Sequence, residues 1–328
     1  MVYNNREAIS LSIIVMKGLC GLMRLRPIFL GILASFFFAI TFVLNARMSL
    51  VGQSFLWSAS LRYLFMIPFM LPVIFARKTL PKLLREIKLA PLSWILWSTI
   101  GFGLFYVPLC FSANYAPAWV IAAAWQFTII AGSLLTPLFG SSSKMPIRGL
   151  LVSMVIFFGI VLVEASHGVQ SSWHNVIVGG LAVAIAAFAY PLGNRKMIVL
   201  CEGRLSAIER VFGMTLVSLP LWIVLAIIGV FTVGLPPVSQ VTQTAIVALS
   251  SGVIATVLFF AATDLTKGNT HDLAAVEATQ SGEVVFTMLL SFLFVSPVKP
   301  PILALLGVTM IIVGMVVHSL GVVHSMDR

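Results

Sequence analysis

The chain has 328 residues, of which 60% are hydrophobic and 9% are charged, and its formal net charge is +10. Soluble globular proteins carry charges on roughly a quarter of their residues, so this composition excludes that class and predicts an integral membrane protein. Three cysteines, Cys20, Cys110 and Cys201, have no spacing typical of a disulfide framework or a metal site.

Residues 1–26 come before the first predicted membrane span. They include an apolar run from Ala8 to Met16, which Lys17 interrupts. A signal peptide would end in a cleavage site with small residues, and the sequence has no convincing one. We therefore predict a cytoplasmic N-terminal segment. This segment either forms a helix on the membrane surface or is an extension that precedes a native start at Met23.

Apolar segments then follow one another with short connections, leaving no room for a soluble domain. As helices, segments of roughly 18 to 25 residues are long enough to cross a hydrocarbon layer of about 30 Å. The short alternating segments of a membrane β-barrel are absent. The sequence predicts an all-α integral membrane fold with ten transmembrane helices. The predicted spans are 27–46, 54–76, 91–113, 117–139, 147–165, 176–193, 206–231, 242–264, 271–295 and 301–321.

Basic residues concentrate in alternate connections. The N-terminal segment and the connections after spans 2, 4, 6 and 8 are basic, whereas the other connections hold only Arg47 and Lys299. The positive-inside rule then predicts that both termini are cytoplasmic in a multi-pass protein of the bacterial inner or plasma membrane. The restriction of basic residues to every second connection also argues against a nucleic-acid partner, because a basic surface for nucleic acid need not be confined to alternate loops.

The second half of the chain repeats the first, at an offset of 149 that changes slightly along the sequence. Because each copy holds five spans, the second copy must enter the membrane from the opposite side. Two inverted five-helix repeats, 27–165 and 176–321 with a cytoplasmic tail at 322–328, predict alternating access to a central site. The matching pairs are Gly31 with Gly180, Asn45 with Asn194, Arg62 with Arg210, Gly101 with Gly252, Gln126 with Gln280 and Gly159 with Gly314.

Span 9 carries the sequence Ala274-Ala-Val-Glu-Ala-Thr-Gln-Ser-Gly-Glu-Val-Val-Phe-Thr. With the inverted repeats, the basic loop after span 2 and the small residues of spans 3, 4, 8 and 9, the chain resembles the drug/metabolite transporter superfamily. The resemblance covers roughly residues 27–320 and is strongest to the EamA-like and multidrug resistance efflux branch. It implies secondary active export of small amphipathic drugs or metabolites. The chain departs from the family at Phe294-Val-Ser-Pro-Val, where members often have a Gly-Glu pair.

The ninth span also carries the unusual polar residues Glu277, Gln280 and Glu283. A carboxylate at bilayer depth costs at least about 2.5 kcal/mol, so these residues are expected to face the protein interior or a water-filled cavity. Their three-residue spacing gives a slow spiral that rises about 9 Å, and Thr287 extends it by a turn. A buried carboxyl group can hold a proton near neutral pH. We predict Glu283, with Glu277 and Gln280, as the proton-coupling or substrate-binding group.

Both carboxylates also have a structural interpretation, which the sequence leaves open. Glu277 lies near the cytoplasmic end of the span, where it could pair with Lys267 among the lipid headgroups. Glu283 could instead form a hydrogen bond to a neighbouring helix.

The rest of the predicted pocket comes from other spans. Trp125 and Gln126 are the repeat counterparts of Thr279 and Gln280, so they should approach the site from the opposite side. An aromatic face beside a carboxylate suits an organic cation. Further predicted lining residues are Arg62, Tyr63, Phe105 and Tyr190. Arg62 would act as an anion anchor or a carboxylate partner, unless it extends to the membrane interface.

Other residues of note are interpreted as structural. Tryptophans near the span ends predict an aromatic belt at the interface. Arg210 and Glu209 are also expected at an interface, and Asp264 is expected to pair with Lys267 three residues later. The belt residues are Trp57, Trp94, Trp97, Trp119, Trp173 and Trp222.

Walker, nucleotide-binding, HExxH and Cys/His metal patterns are absent from the sequence, which predicts no enzyme activity, no cofactor and no metal. The main hypothesis is proton-coupled export of a small amphipathic or cationic molecule, with the bilayer, protons and substrate as partners. Alternatives are an amino-acid or metabolite exporter, an uncoupled facilitator, or a receptor or scaffold that transports nothing. The sequence leaves a monomeric state open.

Overall fold

The computed structural model describes residues 3–139, 147–266, 276, 278–295 and 300–324. Within these ranges the chain is helical and has no strand. The helices are α1 (Tyr3–Leu50), α2 (Phe55–Ala76), α3 (Leu80–Leu89), α4 (Pro91–Ser112), α5 (Ala118–Leu135), α6 (Ile147–Gln170), α7 (Trp173–Cys201), α8 (Ala207–Val233), α9 (Val238–Leu265), α10 (Thr279–Phe294) and α11 (Ile302–His324).

Seven of these helices are long and apolar enough to cross a membrane: α1 from Leu25 onward, α2, α4, α5, α7, α8 and α9. Shorter apolar helices lie in α6, α10 and α11, as far as the described residues extend. The predicted multi-pass, all-helical membrane protein is confirmed, and the count of ten spans stays a prediction. The first helix begins at Tyr3, so the segment before the first predicted span continues directly into it.

The connections α1–α2, α4–α5, α6–α7 and α8–α9 meet at one end of the helices, which we call the Gln53 face. There the Gln53 side-chain amide donates to the Ser239 hydroxyl over 2.9 Å, and the Ser49 hydroxyl donates to the side-chain oxygen Oδ1 of Asn114 over 2.8 Å. A hydrogen bond of 3.0 Å joins His167 Nε2 to the backbone oxygen of Tyr115. These bonds hold the loops of both halves of the chain together.

The other end, which we call the basic face, carries α3 and the α7–α8 connection. Arg204 donates to the Glu86 carboxylate over 2.9 Å, which joins the two elements and raises the pKa of the Arg204 guanidinium. The sequence predicted only a basic loop where α3 lies. A helix forms because Leu83 is fully buried while Lys82 and Arg85 on its other side stay exposed.

Two helices contain a π-helical segment, at Thr99–Leu104 in α4 and at Ala248–Ala255 in α9. Each segment packs against the first helix of the other half. A Cβ on Gly101 would lie 3.2 Å from the Gly193 Cα of α7, and the Ser251 hydroxyl is hydrogen-bonded to the Thr41 hydroxyl of α1. Gly101 therefore allows close packing between α4 and α7. Segments of this kind are frequent at functional sites.

The helices α5 and α10 are irregular at their glutamines. α5 consists of Ala118–Trp125 and Phe127–Leu135, interrupted at Gln126, and α10 opens with a 3-10 turn at Thr279–Ser281. The Gln126 amide nitrogen lies 3.5 Å from the backbone oxygen of Gln280. The two residues that the sequence repeat pairs therefore contact each other in the fold.

The predicted interface belt is wrong for three tryptophans. Trp57, Trp94 and Trp222 are 6%, 1% and 0% exposed, because neighbouring helices cover them. The Trp222 ring stacks on Tyr63 of α2, with centroids 4.1 Å apart and planes 5° apart. Position near a predicted span end did not predict contact with lipid. Trp57 and Trp94 pack against Gly229 and Gly213 of α8, and Trp222 lies near the middle of α8.

The interfacial depth expected for Arg210 and Glu209 stays a prediction, and both side chains are packed inside the protein. Arg210 is buried, with its guanidinium 3.8 Å from the Asp264 carboxylate and its carbon Cζ 5.1 Å from the Phe260 ring centroid. Glu209 is buried because it caps α8, accepting the Ser206 backbone N–H over 2.7 Å. Lys267, the predicted partner of Asp264, lies outside the described residues.

Candidate binding cavity

A narrow cavity lies among α1, α2, α4, α5, α7 and α10. Its polar lining includes Arg62, Gln280 and Glu283, and its volume is ≈ 20 Å³. Such a volume holds about one water molecule. Six helices from both halves of the chain thus converge on one small polar space.

Glu283 opens the α-helical part of α10, directly after the 3-10 turn. The side chain is 2% exposed, and its Oε2 has no hydrogen-bond partner among the described residues. The preceding Gly282 lets α10 approach α1 closely, since a Cβ there would lie 2.7 Å from Ser35 Oγ. A buried carboxyl group with a free oxygen can take a proton or a cation.

Arg62 lies on the α2 side of the cavity and is 3% exposed. Its Cζ is 4.0 Å from the Tyr106 ring centroid and 5.4 Å from that of Tyr63. The nitrogens Nε and Nη1 have no hydrogen-bond partner in the described part of the chain, where no ion pair joins Arg62 to Glu283. The guanidinium is thus held by aromatic rings and keeps free donors.

Three aromatic rings, Phe105, Trp125 and Tyr190, form one wall of the cavity. Their centroids are mutually close, at 5.1 Å for Phe105 and Trp125, 4.9 Å for Phe105 and Tyr190, and 5.4 Å for Trp125 and Tyr190. Such a wall offers flat apolar faces to a bound molecule.

Not every predicted site residue reaches the cavity wall. Gln126 is buried behind it, and its amide contacts the Ala122 oxygen at 3.2 Å as well as Gln280. The Tyr63 ring stacks on the Trp222 ring and does not reach the cavity. Thr287 lies one helical turn beyond Glu283 on α10. Glu277 lies outside the described residues.

Four lining residues were not predicted from the sequence: Phe38, Thr41 and Phe42 of α1 and Leu109 of α4. One signal was available, because Thr41 is the counterpart of the predicted Tyr190 at the offset of 149. The phenylalanines carry no such signal, since apolar aromatic residues occur throughout the chain.

A larger pocket of ≈ 560 Å³ lies near the Gln53 face between α1, α5 and α10, with Ala46, Trp119 and Ser291 in its lining. Glu283, Thr287 and Ser291 follow one another at four-residue spacing on α10, so they share one side of the helix. Each has a buried side-chain oxygen without a hydrogen-bond partner among the described residues. A polar stripe therefore leads from the cavity to this pocket.

The described side chains include no group of three or more His, Cys, Asp or Glu residues that could hold a metal ion. The fold and cavity define a multi-pass membrane protein whose helices enclose a polar, charged centre. The chain belongs to the family described as "EmrE: Putative multidrug resistance efflux transporter", whose sequence model matches residues 25–324. This is a family of membrane transporters and not of enzymes.

Two relatives have no assigned activity. Uncharacterized protein YjlA of Bacillus subtilis is 48% identical over 306 residues, covering 90% of this chain and 94% of its own. An uncharacterized 42.1 kDa protein of Shouchella clausii is 46% identical over 267 residues, covering 79% of this chain and 70% of its own. A protein solved by crystallography has a similar fold, with a TM-score of 0.57 at 14% identity, over 90% of this chain and 96% of that chain.

Proposed function

We propose that the protein is a secondary active exporter that exchanges protons for a small amphipathic or cationic molecule by alternating access. One observation carries the proposal: Glu283 is buried in the central cavity and keeps an oxygen without a partner among the described residues. Carboxylates inside membrane proteins are costly and typically serve ion or proton pathways. A site that holds either a proton or a cationic group couples their movements.

The conformational change that alternating access requires is supported by matching irregular segments in the two halves of the chain. The π-helical segments contain Gly101 and Gly252, and the irregular points of α5 and α10 contain Gln126 and Gln280, both of which are pairs in the sequence repeat. We propose ten membrane spans in two inverted repeats of five, with a pseudo-two-fold axis near the contact of Gln126 with Gln280. Inverted repeats can exchange conformations, which opens the cavity to each side in turn.

A route for the proton is supported by the polar stripe on α10. From Glu283 to Ser291 the helix rises about 12 Å, at 1.5 Å per residue. By the loop charges, the Gln53 face is the outer side and the basic face is cytoplasmic. In this proposal protons enter from the outside by way of Ser291 and Thr287 and reach Glu283.

The test is transport by protein reconstituted in liposomes with an acidic lumen, since outward proton flow would drive uptake of an exchanged substrate. Ethidium, phenethylamine and L-phenylalanine serve as probes. We expect E283Q to abolish pH-gradient-driven uptake, because glutamine cannot exchange a proton. Its thermal melting profile in detergent should match that of the wild type.

Glu202→Gln is the matched control, because this carboxylate is 73% exposed and pairs with Arg204 away from the cavity. Its uptake should equal that of the wild type. Unchanged pH-driven uptake in E283Q would contradict the proposal, and uptake that ignores the gradient would indicate a facilitator. With a scaffold, uptake of every probe would equal that of protein-free liposomes with the same gradient.

A further inference from the structure

Two groups of opposite charge line the same cavity without forming a hydrogen bond to each other. Arg62 keeps two buried nitrogens, and Glu283 one buried oxygen, that have no hydrogen-bond partner among the described residues. A buried charge is strongly destabilising when nothing pairs with it. An arrangement that leaves both groups open is therefore explained if a ligand supplies the missing partners.

The chemistry of Arg62 selects an anion and favours a carboxylate. Arginine stays charged, and its planar fork of donors matches the two oxygens of a carboxylate. Tyr106 and Tyr63 hold the guanidinium carbon at 4.0 and 5.4 Å from their ring centroids, so its direction is fixed before a ligand arrives. Gly252 of α9 packs closely beside this part of α2, since a Cβ there would lie 2.8 Å from Met66 Sδ and 3.4 Å from Arg62 Nε.

Glu283 selects the opposite charge, an ammonium group or a proton. Between the two groups the wall is aromatic, with Phe105, Trp125 and Tyr190 on one side and Phe38 and Phe42 from α1. A ligand that satisfies all three parts has a carboxylate, an ammonium group and an apolar or aromatic side chain. A simple cation would leave the Arg62 donors unpaired.

We infer that the exported substrate is a zwitterion of the amino-acid type with an apolar or aromatic side chain, its carboxylate bound by Arg62 and its ammonium group by Glu283. The inference rests on the proposed transport function. The observed cavity of ≈ 20 Å³ is too small for such a molecule, so the substrate enters when the helices separate. Protonation of Glu283 removes the charge that holds the ammonium group and releases the substrate.

Three probes that differ only in charge test the inference: L-phenylalanine, phenethylamine, which lacks the carboxylate, and 3-phenylpropionate, which lacks the ammonium group. Their dissociation constants are measured by thermal shift and calorimetry on the purified full-length protein at neutral pH. The wild type should bind L-phenylalanine about 10- to 100-fold more tightly than either analogue, because each lost hydrogen-bonded charge costs that much.

Two variants assign the contacts. R62Q should weaken L-phenylalanine binding to the level of phenethylamine and leave phenethylamine unchanged. E283Q should weaken L-phenylalanine to the level of 3-phenylpropionate. Arg210→Gln is the matched control, a buried arginine outside the cavity wall, and should keep the wild-type order of the three probes.

The order in which the wild-type protein binds the three probes tests the inference even if a variant does not fold. Phenethylamine binding as tightly as L-phenylalanine would overturn the inference, and so would the lack of any shift with L-phenylalanine. In either case the proposed export of cations is judged separately, by whether pH-driven uptake of ethidium or phenethylamine requires Glu283. If R62Q loses the same affinity for all three probes, the role of Arg62 as the carboxylate site is overturned.

Discussion

Trp222 lies at the centre of the packing between α2 and α8. Its ring stacks on Tyr63, and its indole N–H donates to the Ser218 hydroxyl over 2.9 Å within the same helix. Tyr63 in turn borders the Arg62 guanidinium. The tryptophan is therefore part of the support behind the cavity, although it has no place in the cavity lining.

Replacing Trp222 by alanine should lower the free energy of unfolding by about 3–5 kcal/mol, because the void left by a buried aromatic ring refills only in part. Trp173→Ala is the matched control, since that side chain is 58% exposed. Thermal and denaturant unfolding in the same detergent compares the two variants. If both variants lose the same free energy of unfolding, the stacked Trp222 contributes no more to stability than an exposed tryptophan.

The sequence predicted the charged residues of the cavity and its wall of Phe105, Trp125 and Tyr190, but not the residues from α1. Glu283 and Arg62 stand out because charged residues are scarce within apolar segments. Phe38 and Phe42 do not, because one phenylalanine of an apolar helix looks like another in sequence. Which of them faces the cavity depends on the rotation of α1 against its neighbours.

Two helices, α6 and α11, pack against each other through glycines. A Cβ on Gly159 would lie 2.7 Å from the Gly307 backbone oxygen and 2.9 Å from Ile311 Cγ1. Apolar side chains gain little by leaving lipid for a helix interface, so close backbone approach at small residues is what stabilises such pairs. This contact joins the last predicted helix of each half of the chain.

Gly159→Ala should therefore destabilise the protein by about 1–3 kcal/mol, because the added methyl group forces the two backbones apart. Gly180→Ala is the control, since a Cβ there meets nothing within 4 Å. That variant should be neutral or slightly more stable, as alanine favours helix over glycine by about 1 kcal/mol. Melting temperatures in one detergent measure both, and a neutral Gly159→Ala would argue against a tight α6–α11 interface.

Helices as elements were largely predictable, and their irregularities were not. The predicted span 54–76 compares with α2 at Phe55–Ala76, and span 91–113 with α4 at Pro91–Ser112, because long apolar runs have clear ends. The π-helical segments of α4 and α9 have no sequence signature beyond glycine. They depend on the helices that pack beside them.

The whole molecule has two chemically different ends. The basic face carries α3 with Lys82, Arg85 and Lys88, whereas the only described Lys or Arg at the Gln53 face is Arg47, in the last turn of α1. Basic loops stay in the cytoplasm during insertion. The fold therefore predicts which end of every helix faces the cell interior.

Cysteines at Val51 and Leu235, which are 67% and 80% exposed at the Gln53 face, should react with a membrane-impermeant maleimide in intact cells. A cysteine replacing Lys82, exposed at the basic face, should react only after the cells are permeabilised. The native Cys110 and Cys201 are buried, and Cys20 is replaced by serine in the background protein. Labelling of all three positions in intact cells, or only of position 82, would contradict the assigned orientation.

The sequence by itself determined the class of protein and the order of its helices, and it predicted a carboxylate suited to coupling. Hydrophobicity along the chain and scarcity of buried charge are local properties, so they can be recognised without a fold. The tertiary structure decided that Arg62 and Glu283 share a cavity, that Trp222 is internal and that Gln126 contacts Gln280. These features depend on the rotation and depth of helices far apart in sequence, which only the packing of the whole bundle fixes.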